Sequence, residues 1–213
     1  MSAEILLRSL GFTLLVTGAS FAVAAVLGLF VVAARRSGNR ILRGAATLWI
    51  TVMRGVPPLV WLFVVFFGIT IQGARLTPVS AAIVTLGAVG SAYLGEAYRA
   101  GLESVPASQR EALSALSVPR WASLRLVILP QALPIMVSAG AAFGIHLLKD
   151  TALASLIGVQ EMTYLTNDAV QRGADGFVAF FLLGLAYLAL SAPVGMLARS
   201  IEQRVQRNRM AVA

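Results

Sequence analysis

The sequence predicts an all-α, polytopic membrane protein with about five transmembrane helices and one cytoplasmic two-helix loop. Three observations carry this. Of 213 residues, 58% are hydrophobic and only 12% charged, against a charged share of about 25% in ordinary soluble domains. The stretches 9–34, 55–74, 76–95, 126–148 and 176–198 contain no Asp, Glu, Lys or Arg, and each reaches the ~20 residues needed to cross a hydrocarbon core about 30 Å thick. Finally, the segment from Ala92 to Pro134 is a long charged interruption, with Glu96, Arg99, Glu103, Arg110, Glu111, Arg120 and Arg125 breaking its apolar runs. That segment belongs in water or against a wet partner surface.

The whole chain, 1–213, reads as a single transmembrane domain. Its spans are expected at about 9–34, 46–74, 76–98, 131–158 and 176–198, with the loop at about 99–130. The first apolar run is 26 residues long, beyond the 7–15 of a signal-peptide core, and it stops at Arg35 and Arg36. Thr13, Thr17, Gly18, Ser20 and Gly28 within it are small residues that permit close helix contact. The turn RRSGNRILR, 35–43, places its arginines among anionic headgroups.

The second span begins between Gly44 and Gly55, and two readings of Arg54 stay open. It anchors the bend made by Gly55, Pro57 and Pro58, or it meets a substrate carboxylate. After a short loop at 72–77 the third span closes with Glu96 and Arg99, whose i, i+3 spacing predicts an ion pair on one helix. From Ser108 to Ser117, Ala112, Leu113, Ala115 and Leu116 share one helical face, and Arg110, Glu111, Ser114 and Ser117 the other. Pro106 and Pro119 bracket this short helix, and a second, Arg120 to Leu129, is expected to put Trp121, Leu124 and Ile128 on one side before Pro130. Together they would make an elbow.

In the fourth span, Pro130 and Pro134 open the segment, Gly140 and Gly144 loosen it, and His146, Lys149, Asp150 and Thr151 follow. Lys149 lies roughly 27 Å from Gln131 along a straight helix. Ionisable groups at membrane depth are costly unless paired or hydrated. Lys149 and Asp150 therefore line a pathway or pair with another helix. His146 reads as a packed or hydrogen-bonded residue. Glu161, in the polar loop 159–175, meets a substrate ammonium or caps its segment. The last span leads into the basic tail RSIEQRVQRNR.

Basic residues set the orientation. With the amino terminus outside, Arg35, Arg36, Arg40, Arg43, Arg99, Arg110, Arg120, Arg125, Arg199, Arg204, Arg207 and Arg209 are cytoplasmic, and Arg8, Arg75 and Arg172 lie outside. The net charge of +8 is then a topology signal, and arginines dispersed at span ends argue against a nucleic-acid partner. The absence of cysteine excludes disulfide frameworks, thiolate zinc sites and cysteine nucleophiles. No GxxxxGK[ST], HExxH or GxSxG motif occurs, so neither nucleotide hydrolysis nor a standard hydrolytic site is encoded. No catalytic or metal-ligating residue is assigned.

The order AY..E..R..L.SVP..Q.EAL.AL from Ala92, followed by ILPQALP at 128–134, closely resembles the EAA loop of permease subunits of bacterial ABC importers. RGVPPLVWLF at 54–63 and LLKDTALASLIGVQEM at 147–162 extend the resemblance, in the wording of the polar amino acid branch. The family usually reads GQ.EAA..LG, where this chain has Ser108, Leu113 and, in place of the helix-ending glycine, Ser117. It also favours RGTPLL and KDTSL, where this chain has Val56, Pro58 and Ala152.

The resemblance implies a type I ABC importer permease fold in the bacterial inner membrane. It implies a dimer, homomeric or with a related permease, one ATPase subunit docked under each cytoplasmic loop, and an external solute-binding protein. ATP and Mg would sit on the ATPase partner, with no cofactor in this chain. Glu111, Ala112, Leu113, Ala115, Leu116 and Ser117 would form the coupling loop, with Leu113 and Leu116 in the ATPase groove. Arg54, Lys149, Asp150 and Glu161 are the groups available to a zwitterionic amino acid. A self-contained channel or gradient-driven carrier, with Lys149 and Asp150 as a charge relay, is the competing reading. An intramembrane enzyme is disfavoured because no nucleophile, base and orienting group converge in sequence.

Overall fold

The computed structural model describes residues 3–71 and 74–210. The described helices are α1 (Ala3–Arg35), α2 (Arg40–Gly55), α3 (Pro58–Gly68), α4 (Pro78–Glu103), α5 (Ala107–Ala115), α6 (Arg120–Ala122), α7 (Leu129–Asp150), α8 (Met162–Gln171) and α9 (Gly176–Met210). Two two-residue strands, Thr70–Ile71 and Ala74–Arg75, pair antiparallel between α3 and α4. The tip of the expected 72–77 loop, Gln72 and Gly73, lies outside the described residues.

Helix α4 is the centre of the fold. Its glycines are spaced so that α1 lies directly on its backbone. A Cβ at Gly87 would sit 2.6 Å from Val23 Cγ1, and one at Gly95 would sit 2.7 Å from Val31 Cγ1. Between them, Ser91 is fully buried, so Gly87, Ser91 and Gly95 form a small-xxx-small stripe. Contacts advance together along both chains, from Val23 opposite Gly87 to Val31 opposite Gly95, so α1 and α4 run parallel. Helix α7 packs antiparallel on α4, with Phe143 over Gly90 and Met136 over Gly101. Helix α9 in turn packs on α7, where Ile145 meets Gly195. A core of small, aliphatic and aromatic residues, among them Ala24, Leu86, Leu94, Phe143 and Leu147, runs through this stack.

Four helical stretches are long and apolar enough to cross a membrane, or five if the bent pair α2 and α3 is one span. That pair carries the bend expected at Gly55, Pro57 and Pro58 within the second span, 46–74. It breaks at Val56–Pro57 and turns through 101°, because Pro57 and Pro58 offer no N–H to the preceding turn and Val56 stands before a proline in extended conformation. Helix α2 is amphipathic, capped by the Asn39 side chain accepting from Ile41 N at 2.8 Å.

The loop differs from the sequence reading. The expected second short helix, Arg120 to Leu129, is not separate: Arg120–Ile157 is one unbroken helical stretch. Pro130 would ordinarily clash with the carbonyl of residue 126. The turns Ser123–Ile128 are π-helical, with Leu129 N–H bonding to Leu124 O, and this extra residue per turn admits the proline without a break. Beyond Asp150 the helix tightens to a 3₁₀ stretch, Thr151–Ile157, and ends at Gly158, φ 93°, a left-handed position that suits glycine.

These packing directions sort the charges to two ends of the molecule. Arg35, Arg36, Arg40, Arg43, Glu96, Arg99, the loop 104–119 and the α9 carboxyl end share one end. The α1 amino end, the strand pair, Glu161, Asp168, Arg172 and Asp175 share the other.

Candidate functional sites

At the basic end, α5 stands clear of the bundle. None of its residues is buried. Leu116 is 75% exposed and Trp121, at the start of the next helix, 68%. Leu113 is half-buried, while Glu111, Ala112, Ala115 and Ser117 are exposed. Pro106 stands at the N-cap. At the other end Ser117 N donates to Ser114 O and Val118 N to Leu113 O, both at 3.0 Å, with Ser117 at φ 54°. This is a Schellman stop whose left-handed residue is usually glycine.

Several contacts tie the roots of this helix to the bundle. Gln131 Nε2 donates to Gln109 Oε1 at 2.9 Å and to Val127 O at 3.0 Å, latching α5 to the continuous helix. Val105, Ala132 and Met136 form a small buried cluster beneath the loop, packed by Tyr98, Leu102 and Ile128. One turn away, Arg99 Nη2 pairs with Glu96 Oε2 at 2.7 Å and Arg99 also pairs with Glu103. Arg35 Nη1 donates to Thr47 Oγ1 at 2.7 Å, and Arg35 Nε lies 4.0 Å from Glu96. The expected Glu96–Arg99 pair is therefore present, within a network joining α1, α2 and α4.

A second constellation lies where α2, α4 and α7 meet. The Arg54 guanidinium sits 4.9 Å over the Tyr93 ring. Tyr93 stacks on Phe143 at 5.5 Å, and Phe143 on Phe21 at 6.2 Å. The His146 ring lies 6.3 Å from Tyr93, and its Nε2 is 3.4 Å from Asp150 Oδ2. Arg54, His146 and Lys149 are exposed and Asp150 is half-buried. Arg54, from the far side of the Pro57 bend, is thus joined through an aromatic face to the carboxylate of Asp150. Lys149 precedes Asp150 on the same helix and points about 100° away from it around the axis. A cation and an anion are thus separated by one tyrosine and one imidazole.

Glu161 stands apart. It is 0% exposed, accepts from Tyr164 N at 2.7 Å and from Tyr187 O–H at 2.8 Å, and so caps α8. Burial pushes its carboxyl up from the usual carboxylate range, against the lowering by the bonds it accepts. Of the two readings open for this residue, the cap contact is present. Sequence reasoning missed Tyr93 and the Gln109–Gln131 latch. Nothing local marks Tyr93, whose partners come from two other helices.

Known proteins share this organisation. A family model described as "Binding-protein-dependent transport system inner membrane component" matches residues 10–207. The chain is 33% identical over 198 residues to the probable amino-acid ABC transporter permease protein YckA of Bacillus subtilis (strain 168), covering 93% of this chain and 88% of that relative. It is 29% identical to the glutamine transport system permease protein GlnP of Escherichia coli (strain K12), covering 95% and 93%. Among solved structures, one described as an amino acid ABC transporter with histidines superposes with TM-score 0.87 at 26% identity, covering 94% of both chains. The inward-facing MetNI methionine ABC transporter superposes with TM-score 0.79 at 24% identity, covering 96% of this chain and 99% of that one, a likeness of fold.

Proposed function

The chain belongs to the inner membrane components of binding-protein-dependent transport systems, the permeases of ABC importers, and from that premise we propose that it imports an amino acid or similar polar solute on ATP hydrolysed by a partner chain. The observation that carries the coupling half is the α5 loop, apolar at Leu116 and Trp121 yet uncovered, and stiffly rooted by the Gln109–Gln131 latch. A helix presented in this way fits a groove on a partner. In this proposal Leu113 and Leu116 enter the ATPase groove and Glu111, Ala112, Ala115 and Ser117 border it. ATP and Mg reside on that partner.

The basic end faces the cytoplasm, following the distribution of arginines, and the Glu161 end faces the solute-binding protein that delivers cargo. A second permease copy, identical or related, closes the pathway, since five helices are few to enclose one. The solute's carboxylate meets Arg54 or Lys149 and its ammonium meets Asp150, against the Tyr93 face. Glu161 holds the segment beyond them. When the ATPases close, the loop would carry α4 and α7 with it, exchanging an inward for an outward opening.

Mild affinity purification of the tagged chain from native membranes, beside Glu111→Lys and Leu116→Asp, tests the coupling half. An ATPase that accompanies the unaltered chain and is lost from both variants is the expected result. An ATPase retained by both variants would remove the loop from the interface.

A further inference from the structure

We propose that the cavity between α8 and α9 is a binding site for one phosphatidylethanolamine molecule, with an acyl chain along its apolar walls and the headgroup ammonium on Asp175. The site stands independently of the import reading. At the end of the molecule opposite the arginine-rich turn, a cavity of about 610 Å³ opens between these helices, with Ser9 of α1 also lining it. That volume lies within the ~300–1,000 Å³ of small-molecule sites. Met162, Leu165 and Ala169 of α8 form one wall, and Val178, Leu182 and Ala186 of α9 the other. At about 100° per residue, these fall within arcs of about 60° on α8 and about 80° on α9. Asp175 lines the same cavity, and the same count places it inside the α9 arc. Apolar wall and carboxylate therefore face one space.

Chemistry and depth say what fills it. Thr166 Oγ1 donates to Met162 O at 2.9 Å, so the hydroxyl on the wall is already satisfied and water inside would find few partners. Left empty, the walls would forfeit dispersion contacts that hydrocarbon restores. At the mouth, Arg172 is held by Asp168, Nη2 to Oδ2 at 3.0 Å. Arg8, next to Ser9, lies over the Phe12 ring and outside the cavity lining. Asp175 Oδ1 accepts from Val178 N at 2.8 Å, and Asp175 takes part in no ion pair among the described residues. One negative charge is left at the rim, where a cation with N–H donors would complement it. Asp175 and Ala186 are 11 residues apart, about 17 Å at 1.5 Å per residue, against about 15 Å for half of a 30 Å hydrocarbon core. Since α9 is long and apolar enough to span, the cavity runs through one leaflet with its carboxylate at headgroup level. A free amino acid could offer its ammonium to Asp175 but would find no cation in the lining for its carboxylate. Phosphatidylglycerol brings a second negative charge, and phosphatidylcholine has no N–H to donate.

The full-length chain is purified in mild detergent and exchanged into nanodiscs holding equal amounts of phosphatidylethanolamine, phosphatidylglycerol and phosphatidylcholine with matched acyl chains. It is then re-extracted, and its retained lipid is measured by native mass spectrometry. The expected result is selective retention of one phosphatidylethanolamine. Asp175→Asn keeps a side chain able to cap α9 and loses the charge, so the preference over phosphatidylcholine should fall about tenfold, the effect of one hydrogen bond to a charged group. Ala186→Phe fills the inner part of the cavity and should remove retained lipid of every class. Gly184→Phe adds the same ring on the opposite face of α9, where a Cβ meets nothing within 4 Å, and should retain lipid as the unaltered chain does, which controls for folding. Equal retention of the three lipids by the unaltered chain, an undiminished preference in Asp175→Asn, or unchanged retention in Ala186→Phe would each overturn the site. So would a loss in Gly184→Phe equal to that in Ala186→Phe. Efficient cross-linking of two copies through Ala186→Cys, a unique thiol in a chain without cysteine, would also overturn it by giving the cavity to a second copy.

Discussion

Ser117 holds a left-handed backbone, φ 54°, at the end of α5, and replacing it by glycine tests how the loop is built. A side-chain-bearing residue in this region costs roughly 1–2 kcal/mol relative to right-handed conformation. Glycine removes that cost and returns part of it, about 0.5–1 kcal/mol, as greater freedom of the unfolded chain. The net expected gain for Ser117→Gly is about 0.5–1 kcal/mol, confined to the stop of α5. It should appear in hydrogen exchange by mass spectrometry as roughly two- to fivefold slower exchange of the amides at 117 and 118, which donate to Ser114 O and Leu113 O. Ser117→Val, β-branched, should speed the same amides. Faster exchange in the glycine variant would show that the serine hydroxyl, and not backbone strain, decides this stop.

Gly95→Ala places a Cβ 2.7 Å from Val31 Cγ1, a stiff β-branched neighbour, and should destabilise the α1–α4 pair by about 1–3 kcal/mol, read as a lower Tm in detergent. For Glu161 the sign follows from burial. The folded carboxyl binds its proton more tightly than the unfolded one, so this group's contribution to stability is full below 4.5 and is lost as pH rises through the raised value. Glu161→Gln should flatten that slope in thermal unfolding scans taken across the range, and should leave the uptake KM unchanged. Asp150→Asn and Arg54→Gln, in contrast, should each raise the uptake KM by about tenfold or more, the loss of one charge-assisted contact; unchanged KM in either would take that residue off the pathway.

Much of the fold was legible because membranes impose simple rules. The charge-free runs at 9–34, 76–95 and 176–198 overlap long apolar helices, and the spacing of Ala112, Leu113, Ala115 and Leu116 located α5 to within a residue at its start. The Glu96–Arg99 pair is local, three residues apart, and was readable for that reason. The 101° turn at Val56–Pro57 was signalled by its prolines, but its size depends on how α2 and α3 each pack on α4. The continuity of Arg120–Ile157 was hidden, because a π-helical turn has no sequence signature and Pro130 normally argues for a break. Tyr93 was invisible for a different reason. Its role arises from Arg54, Phe143 and His146, which only tertiary folding brings to one ring.

The central claim is that transport through this chain is driven by ATP spent on a partner docked at α5. The direct measurement is solute flux in proteoliposomes, comparing the purified chain alone with the chain assembled with its co-purified ATPase and solute-binding protein. The account predicts amino acid accumulation only in the complete assembly with ATP, abolished by Leu116→Asp. Steady flux through the chain alone, indifferent to ATP and to Leu116, would contradict it and identify a channel or gradient-driven carrier.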